Sequence, residues 1–102
     1  MIQHTHRRVV WTSPAEQETA EAALWYENHQ RGLGEQFLAA TEHAASAAAT
    51  SPEVYARVQG QLRRVLVRRF PYALIVREAV DELLVVACYH LHRDPQGWQS
   101  RG

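Results

Sequence analysis

Three apolar runs of strand length lie close together in RRVLVRRFPYALIVREAVDELLVVACYHLHRD, residues 63–94: Val65-Leu66-Val67, Tyr72 to Val76, and Leu83 to Tyr89. β-branched and aromatic residues are dense in all three, as a pleated surface favours. Pro71 separates the first two; it lacks an N–H and suits a bend or a strand start. Ala79-Val80-Asp81-Glu82 separates the second and third, with the acidic pair at the tip. Connections this short join antiparallel neighbours. The pattern therefore predicts a three-stranded antiparallel meander.

Upstream, HRRVVWT (His6 to Thr12) predicts a short first strand. Ser13, Pro14 and Glu16 then open a helix: Ser13 is the expected cap, proline suits the first turn, and Glu16 stands three residues on. Ala15, Thr19, Ala22, Ala23 and Tyr26 recur at helical spacing and are expected to face the sheet. Gly32-Leu33-Gly34 breaks this helix. A second is expected from about Gly34 to Ala49, with Phe37, Thr41, Ala44 and Ala48 as its buried stripe. Its many alanines favour helix and let two backbones approach closely. Thr50-Ser51-Pro52 ends it, and residues 51–60 read as a connecting loop. The predicted order is β-α-α-β-β-β: a helical hairpin on one face of a small, mainly antiparallel sheet, an α+β domain. The other face is expected to be partly solvated.

One domain, residues 1–102, is the natural reading of this length. Residues 1–5 and 95–102 are expected to be flexible. No run of about 18 apolar residues exists to span a membrane, and MIQHTHRR has no apolar stretch after its charges, unlike a secretory signal. Cys88 is the only cysteine, so no disulfide forms within the chain and a reducing cytoplasm fits.

Charge changes the picture. Net charge is zero, yet residues 1–54 hold three arginines against seven glutamates, and residues 55–102 hold eight arginines against four acids. Arg57, Arg63, Arg64, Arg68, Arg69 and Arg77 follow one another with no acid between them. Such segregation predicts a basic face that meets an anionic partner, against the plainer reading of a sheet edge guarded by charge. All eleven basic residues are arginine. Arginine stays protonated, so any acid–base role falls to histidine, tyrosine or a carboxylate.

Period-two alternation sorts the last strand into Leu83, Val85, Ala87, Tyr89, Leu91 and Arg93 on one side and Leu84, Val86, Cys88, His90 and His92 on the other. At its end Tyr89, His90, His92 and Arg93 emerge together. With Arg64, Arg68, Arg69 and Arg77 on the neighbouring strands, this cluster could bind a phosphate backbone and assist phosphoryl chemistry; structural ion pairs are the alternative, with Arg93 on Asp94 or Glu78. Cys88-x-His90-x-His92 and His4-x-His6 suggest metal ligands, but same-side residues of one strand rarely converge on an ion. No metal or cofactor is expected. Trp25 and Leu38 fall off the core stripes; they either form an exposed patch for a partner or pack between the helices. Trp98 and Arg101 either fold back over the sheet or contact a target.

The pieces WYENHQRGLGEQFL (25–38), Ser51-Pro52-Glu53, LRRVLVRRFPYALIV (62–76) and ACYHLHRDPQGWQSR (87–101) resemble, in order, the RelE/ParE superfamily of toxins from type II toxin–antitoxin systems, and within it the ParE-like branch. RRFPY followed by H-x-x-R-D-P-x-x-W carries most of the likeness. The resemblance implies a small cytoplasmic bacterial toxin, of a kind linked to plasmid stabilisation and growth inhibition, blocked by a cognate antitoxin. ParE-like members poison DNA gyrase without covalent chemistry of their own. RelE-like members are ribosome-dependent endoribonucleases, and the positions matching such a site here are Arg64, Arg69, Tyr89, His90 and Arg93. The lysines typical of those nucleases are absent, which points to the gyrase branch. For partner and target contacts the resemblance and the charge pattern together select Arg57, Arg63, Arg68, Arg77, Trp25, Leu38, Trp98 and Arg101. An antitoxin segment crossing Arg57 to Arg77 is expected to be acidic. A toxin fold that only binds its partner, and assembly as a homodimer or a toxin–antitoxin hetero-oligomer, are left open.

Overall fold

The computed structural model describes residues 6–93 and 97–101. Strand β1 (Arg8–Trp11) leads into helices α1 (Ser13–His29) and α2 (Leu33–Thr50), a 3-10 turn at Pro52–Val54, and strands β2 (Arg57–Gln59), β3 (Leu62–Val67), β4 (Tyr72–Glu78) and β5 (Glu82–His90); a second 3-10 turn spans Trp98–Ser100. The sheet order is β1-β5-β4-β3-β2. β2 to β5 form antiparallel pairs, and β1 joins the far edge parallel to β5. The α+β architecture is the expected one, with one strand more. β2 lies where a loop was expected; it has three residues, all exposed, so no apolar alternation marks it.

α1 starts one residue earlier than its sequence suggests. Thr12, not Ser13, is the cap, its Oγ1 accepting from the Ala15 N–H at 3.4 Å. Ala15, Thr19, Ala22 and Ala23 are buried, and Thr19 returns its hydroxyl to the Ala15 carbonyl at 2.8 Å. On α2 the buried stripe is Phe37, Thr41, Ala44 and Ala48, widened by Gly34, Ala45 and Ala49. These small residues pack on Val65, Val67, Leu74, Val76, Leu83, Val85 and Cys88 of the sheet. At one end the core turns aromatic: Tyr26, Phe37, Phe70 and Tyr72 meet with ring centroids 4.9 to 6.1 Å apart.

The hairpin is closed by Gly34 and Glu27. A Cβ on Gly34 would sit 2.6 Å from the Ala23 carbonyl oxygen. No side chain of its own caps α2; instead the Glu27 carboxylate reaches across from α1 and accepts from the Gly32 and Gly34 N–H groups at 3.0 Å. Gly32 itself holds φ 88°, which glycine adopts without steric cost.

The alternation expected along β5 fails in the middle. Ile75 pairs with Ala87 but Val76 pairs with Val85, so Val86 is an extra, bulged residue. A bulge inverts the side-chain phase beyond it. Leu83, Val85 and Cys88 therefore pack under the helices, while Leu84, Val86, Ala87 and Tyr89 belong to the opposite face. β1 ends beside Val85, whose carbonyl accepts from Thr12 N–H at 3.0 Å. Past that point a tether from the C-terminal segment takes over. Glu18 accepts from Cys88 N–H at 3.0 Å and pairs with both terminal nitrogens of Arg101, each at 3.0 Å; Arg101 also donates to the Val86 carbonyl at 2.9 Å. Trp98, only 7% exposed, lies over Leu62, Ile75, Val86 and Ala87. The segment from 97 to 101, expected to be loose, is thus held against the sheet.

Two outcomes follow from these contacts. Replacing glycine inside a helix by alanine normally helps by about 1 kcal/mol, but Gly34→Ala must push the helices apart and is expected to cost a net 1–3 kcal/mol, or about that. A lower urea midpoint at unchanged slope would register it. Glu18→Ala strips partners from Cys88 N–H and Arg101 and is expected to destabilise by about 1–3 kcal/mol, with red-shifted tryptophan emission as Trp98 meets water.

Candidate functional site

The sheet face away from the helices is built by alternate residues of β3 and β4. Arg64 pairs with Ile75 and Leu62 with Arg77, so Arg64 and Arg77 are diagonal neighbours on that face, with Cβ atoms about 7 Å apart. Arg64 is exposed. Arg77 is half-buried, and its Nε has no hydrogen-bond partner among the described residues. Leu66, on the same face, is 58% exposed. At the end of this face the β3–β4 turn presents Arg68 and Arg69, both exposed. Arg69 holds φ 71°, a conformation costing a side-chain-bearing residue roughly 1–2 kcal/mol. The face is thus cationic with an apolar floor.

Other arginines are committed elsewhere. Arg63 lies on the helix side, its side chain 12% exposed, donating to the Tyr55 carbonyl at 2.7 Å and pairing with Glu78 at 3.3 Å. Glu78 is shared with Arg7 at 3.5 Å. Arg57 stands opposite Arg63 on the edge strand and is exposed. Arg101 belongs to the Glu18 tether. Of the two placements open for Trp98, it takes the folded-back one, its ring stacked 5.8 Å from Tyr89.

A second concavity of about 400 Å³ opens at the end of β5, between α1 and the sheet. Tyr72, Cys88, His90 and Arg93 line it, with Glu21 and Trp25 from α1. His90 meets Tyr72 edge-on at 5.0 Å and lies 5.4 Å from the His92 ring. Burial lowers the His90 pKa, and the neighbouring Arg93 and His92 lower it further. Burial raises the Tyr72 hydroxyl, with Arg93 opposing. It pushes the Cys88 thiol up to about 11, so Cys88 is a protonated, apolar filler at neutral pH. His90 is therefore a neutral imidazole beside a guanidinium, able to accept a proton, in a cleft wide enough for a small anionic group.

The five positions matching a nuclease site do not converge. Tyr89 is on the opposite face from His90, and Arg64 lies two strands and two residues from Tyr89, roughly 12 Å between Cα atoms. Arg69 sits in the turn, and Arg93 follows β5. Asp94, named as a partner for Arg93, and His4 lie outside the described residues. Among the described residues no three His, Cys, Asp or Glu side chains converge for a metal, and no helix is long and apolar enough to cross a membrane.

Trp25 and Leu38 separate. Trp25, 51% exposed, stacks on His29 at 3.8 Å above the cleft. Leu38 faces a larger groove of about 900 Å³ along the helical hairpin, with Leu24, Ala20, Val9 and Trp11. Val9, Trp11 and Leu24 were not singled out by sequence. The available signal was that Leu24, like Leu38, falls outside the stripe that covers the sheet.

Because the folded state holds His90 neutral, it binds fewer protons than the unfolded chain between the lowered pKa and the ordinary value near 6.5. Stability is fully present above about pH 6.5 and falls as pH drops through that window. His90→Gln is expected to flatten this fall in urea titrations between neutral pH and about pH 5. In NMR the His90 ring should titrate below the ordinary imidazole value; titration at or above it would contradict the packing described.

No family model matches the chain, and no curated protein does. Among solved structures, a chain described as the chromosomal ParDE TA system from P. aeruginosa superposes with a TM-score of 0.70 at 13% identity, over 86% of this chain and 99% of that one. The protein has the fold of that ParDE chain.

Proposed function

We propose that the protein is the toxin of a type II toxin–antitoxin pair, ParE-like in action: it arrests growth by binding and poisoning DNA gyrase, and a cognate antitoxin neutralises it. The observation that carries the reading is the match of this fold to essentially the whole of a ParDE chain. The dispersal of Arg64, Tyr89, His90 and Arg93 supports binding over cleavage. RNA cleavage requires a base and an acid within hydrogen-bond reach of one phosphate, and these groups are divided between two faces. A protein target needs no such convergence. The cationic sheet face with its apolar floor, Arg64, Arg77 and Leu66 flanked by Arg68 and Arg69, has the mixture that macromolecular contacts use. The antitoxin is expected to be acidic where it crosses the arginines from Arg57 to Arg77.

Purified protein is expected to abolish gyrase supercoiling or to accumulate cleaved DNA complexes. Arg64→Glu, on an exposed position, should reduce the potency by about tenfold or more, the loss of roughly 1.4 kcal/mol of binding. Full supercoiling at excess protein would refute the gyrase reading. Transcripts cut in a translating extract under the same conditions, and spared by His90→Ala, would replace it with the endoribonuclease reading. Expression of the gene alone without growth arrest would leave only a binding module.

A further inference from the structure

The groove along the helical hairpin runs from Gly34 and Glu27 at the hairpin tip to Val9 and Trp11 of β1. Its wall side chains are Leu24, 62% exposed, and Leu38, 39% exposed. Glu16 on α1 and Glu35 and Glu42 on α2 stand along its rims. All three are exposed, and among the described residues none forms an ion pair. Glu27, at the tip, is occupied by the backbone of the hairpin turn. Arginines are absent from the lining.

The geometry points to this groove as the docking site of one amphipathic helix from a partner protein, its apolar stripe bordered by arginine or lysine. The carboxylates do not converge as they would on a small ligand; they are spread along the trough. Glu35 and Glu42 are seven residues apart in α2, about 10 Å along its axis. Glu16 and the tip of α1 are farther apart still. An elongated partner of about three turns, with apolar residues at helical spacing and cations beside them, matches both the floor and the rims. A second copy of this chain does not, because its own helices would bring glutamates against glutamates. The inference deepens the toxin–antitoxin reading, on which it rests for the partner's identity. It gives the antitoxin two segments of opposite sign: basic in the groove, acidic across the arginines of the sheet.

The test uses two labelled helical peptides of about 15 residues with the same leucine and alanine stripe, one flanked by arginine and one by glutamate, and reads fluorescence anisotropy with the full chain. The arginine-flanked peptide is expected to bind at least about tenfold tighter. The double variant Glu35→Gln, Glu42→Gln should weaken it and flatten its salt dependence. Leu24→Glu separates groove from bulk charge: it adds an acid, so simple attraction would strengthen binding, whereas a docked apolar stripe would be expelled and binding lost. Equal or tighter binding of the glutamate-flanked peptide, binding that survives Leu24→Glu, or no binding by either peptide would each overturn the inference. A chain that poisons gyrase yet ignores both peptides would sink the groove and spare the function; binding without growth arrest would do the reverse.

Discussion

The close approach of the two helices is the constraint from which most of the molecule follows. Ala23, Gly34, Ala45 and their neighbours are small, so backbone meets backbone where larger proteins place leucines. Two consequences come from this. The hairpin can lie flat enough for both helices to cover one sheet of only five strands, and it has no interior space for large side chains between them. Leu24 and Leu38 are turned outward as a result, and the alanine floor beneath them becomes a trough. The same feature that seals the core therefore creates an apolar surface which water covers poorly.

A second constraint sits in β5. The strand serves two neighbours for half its length and only one for the rest, because β1 stops beside Val85. An extended edge in that position would leave backbone groups unpaired. The chain resolves this with a bulge at Val86 and with two side chains, Glu18 and Arg101, that act as substitute strand partners. The same bulge sends Tyr89 and His90 to opposite faces. Without it Cys88 would face away from the helices, and the grouping of the aromatic and basic residues would differ. Structure and candidate chemistry are thus coupled through one inserted residue.

The helical stripes were legible because each buried position is set by local spacing: Ala15, Thr19, Ala22 and Ala23 on α1, Phe37, Thr41, Ala44 and Ala48 on α2. The short turns at Pro71 and at Ala79 to Glu82 were legible for the same reason. What sequence did not reveal depends on distant partners. β2 exists because β3 offers it a ladder, and its three exposed residues have no pattern of their own. Strict alternation cannot announce a bulge. The Glu18–Arg101 pair joins positions 83 apart, and nothing near either residue signals the other. The arginine run from Arg57 to Arg77 was visible as composition, but its division into a structural residue, Arg63, and exposed ones, Arg64, Arg68 and Arg69, required knowing which face each occupies.

Charge segregation along the chain becomes charge segregation in space. The acid-rich half builds the helices, and the arginine-rich half builds the strands and turns, so the covered side of the sheet carries glutamates outward while the uncovered side carries guanidiniums. A single helix packed on one side cannot neutralise both. A partner that masks the whole molecule must wrap around an edge and change sign as it does so, and an edge strand such as β1 or β2 is where such a crossing meets free backbone. A ligand that needs only the basic face has no reason to contact the groove. The two surfaces can therefore answer to different molecules, one that restrains the protein and one on which it acts, with the sheet edge as the line between them.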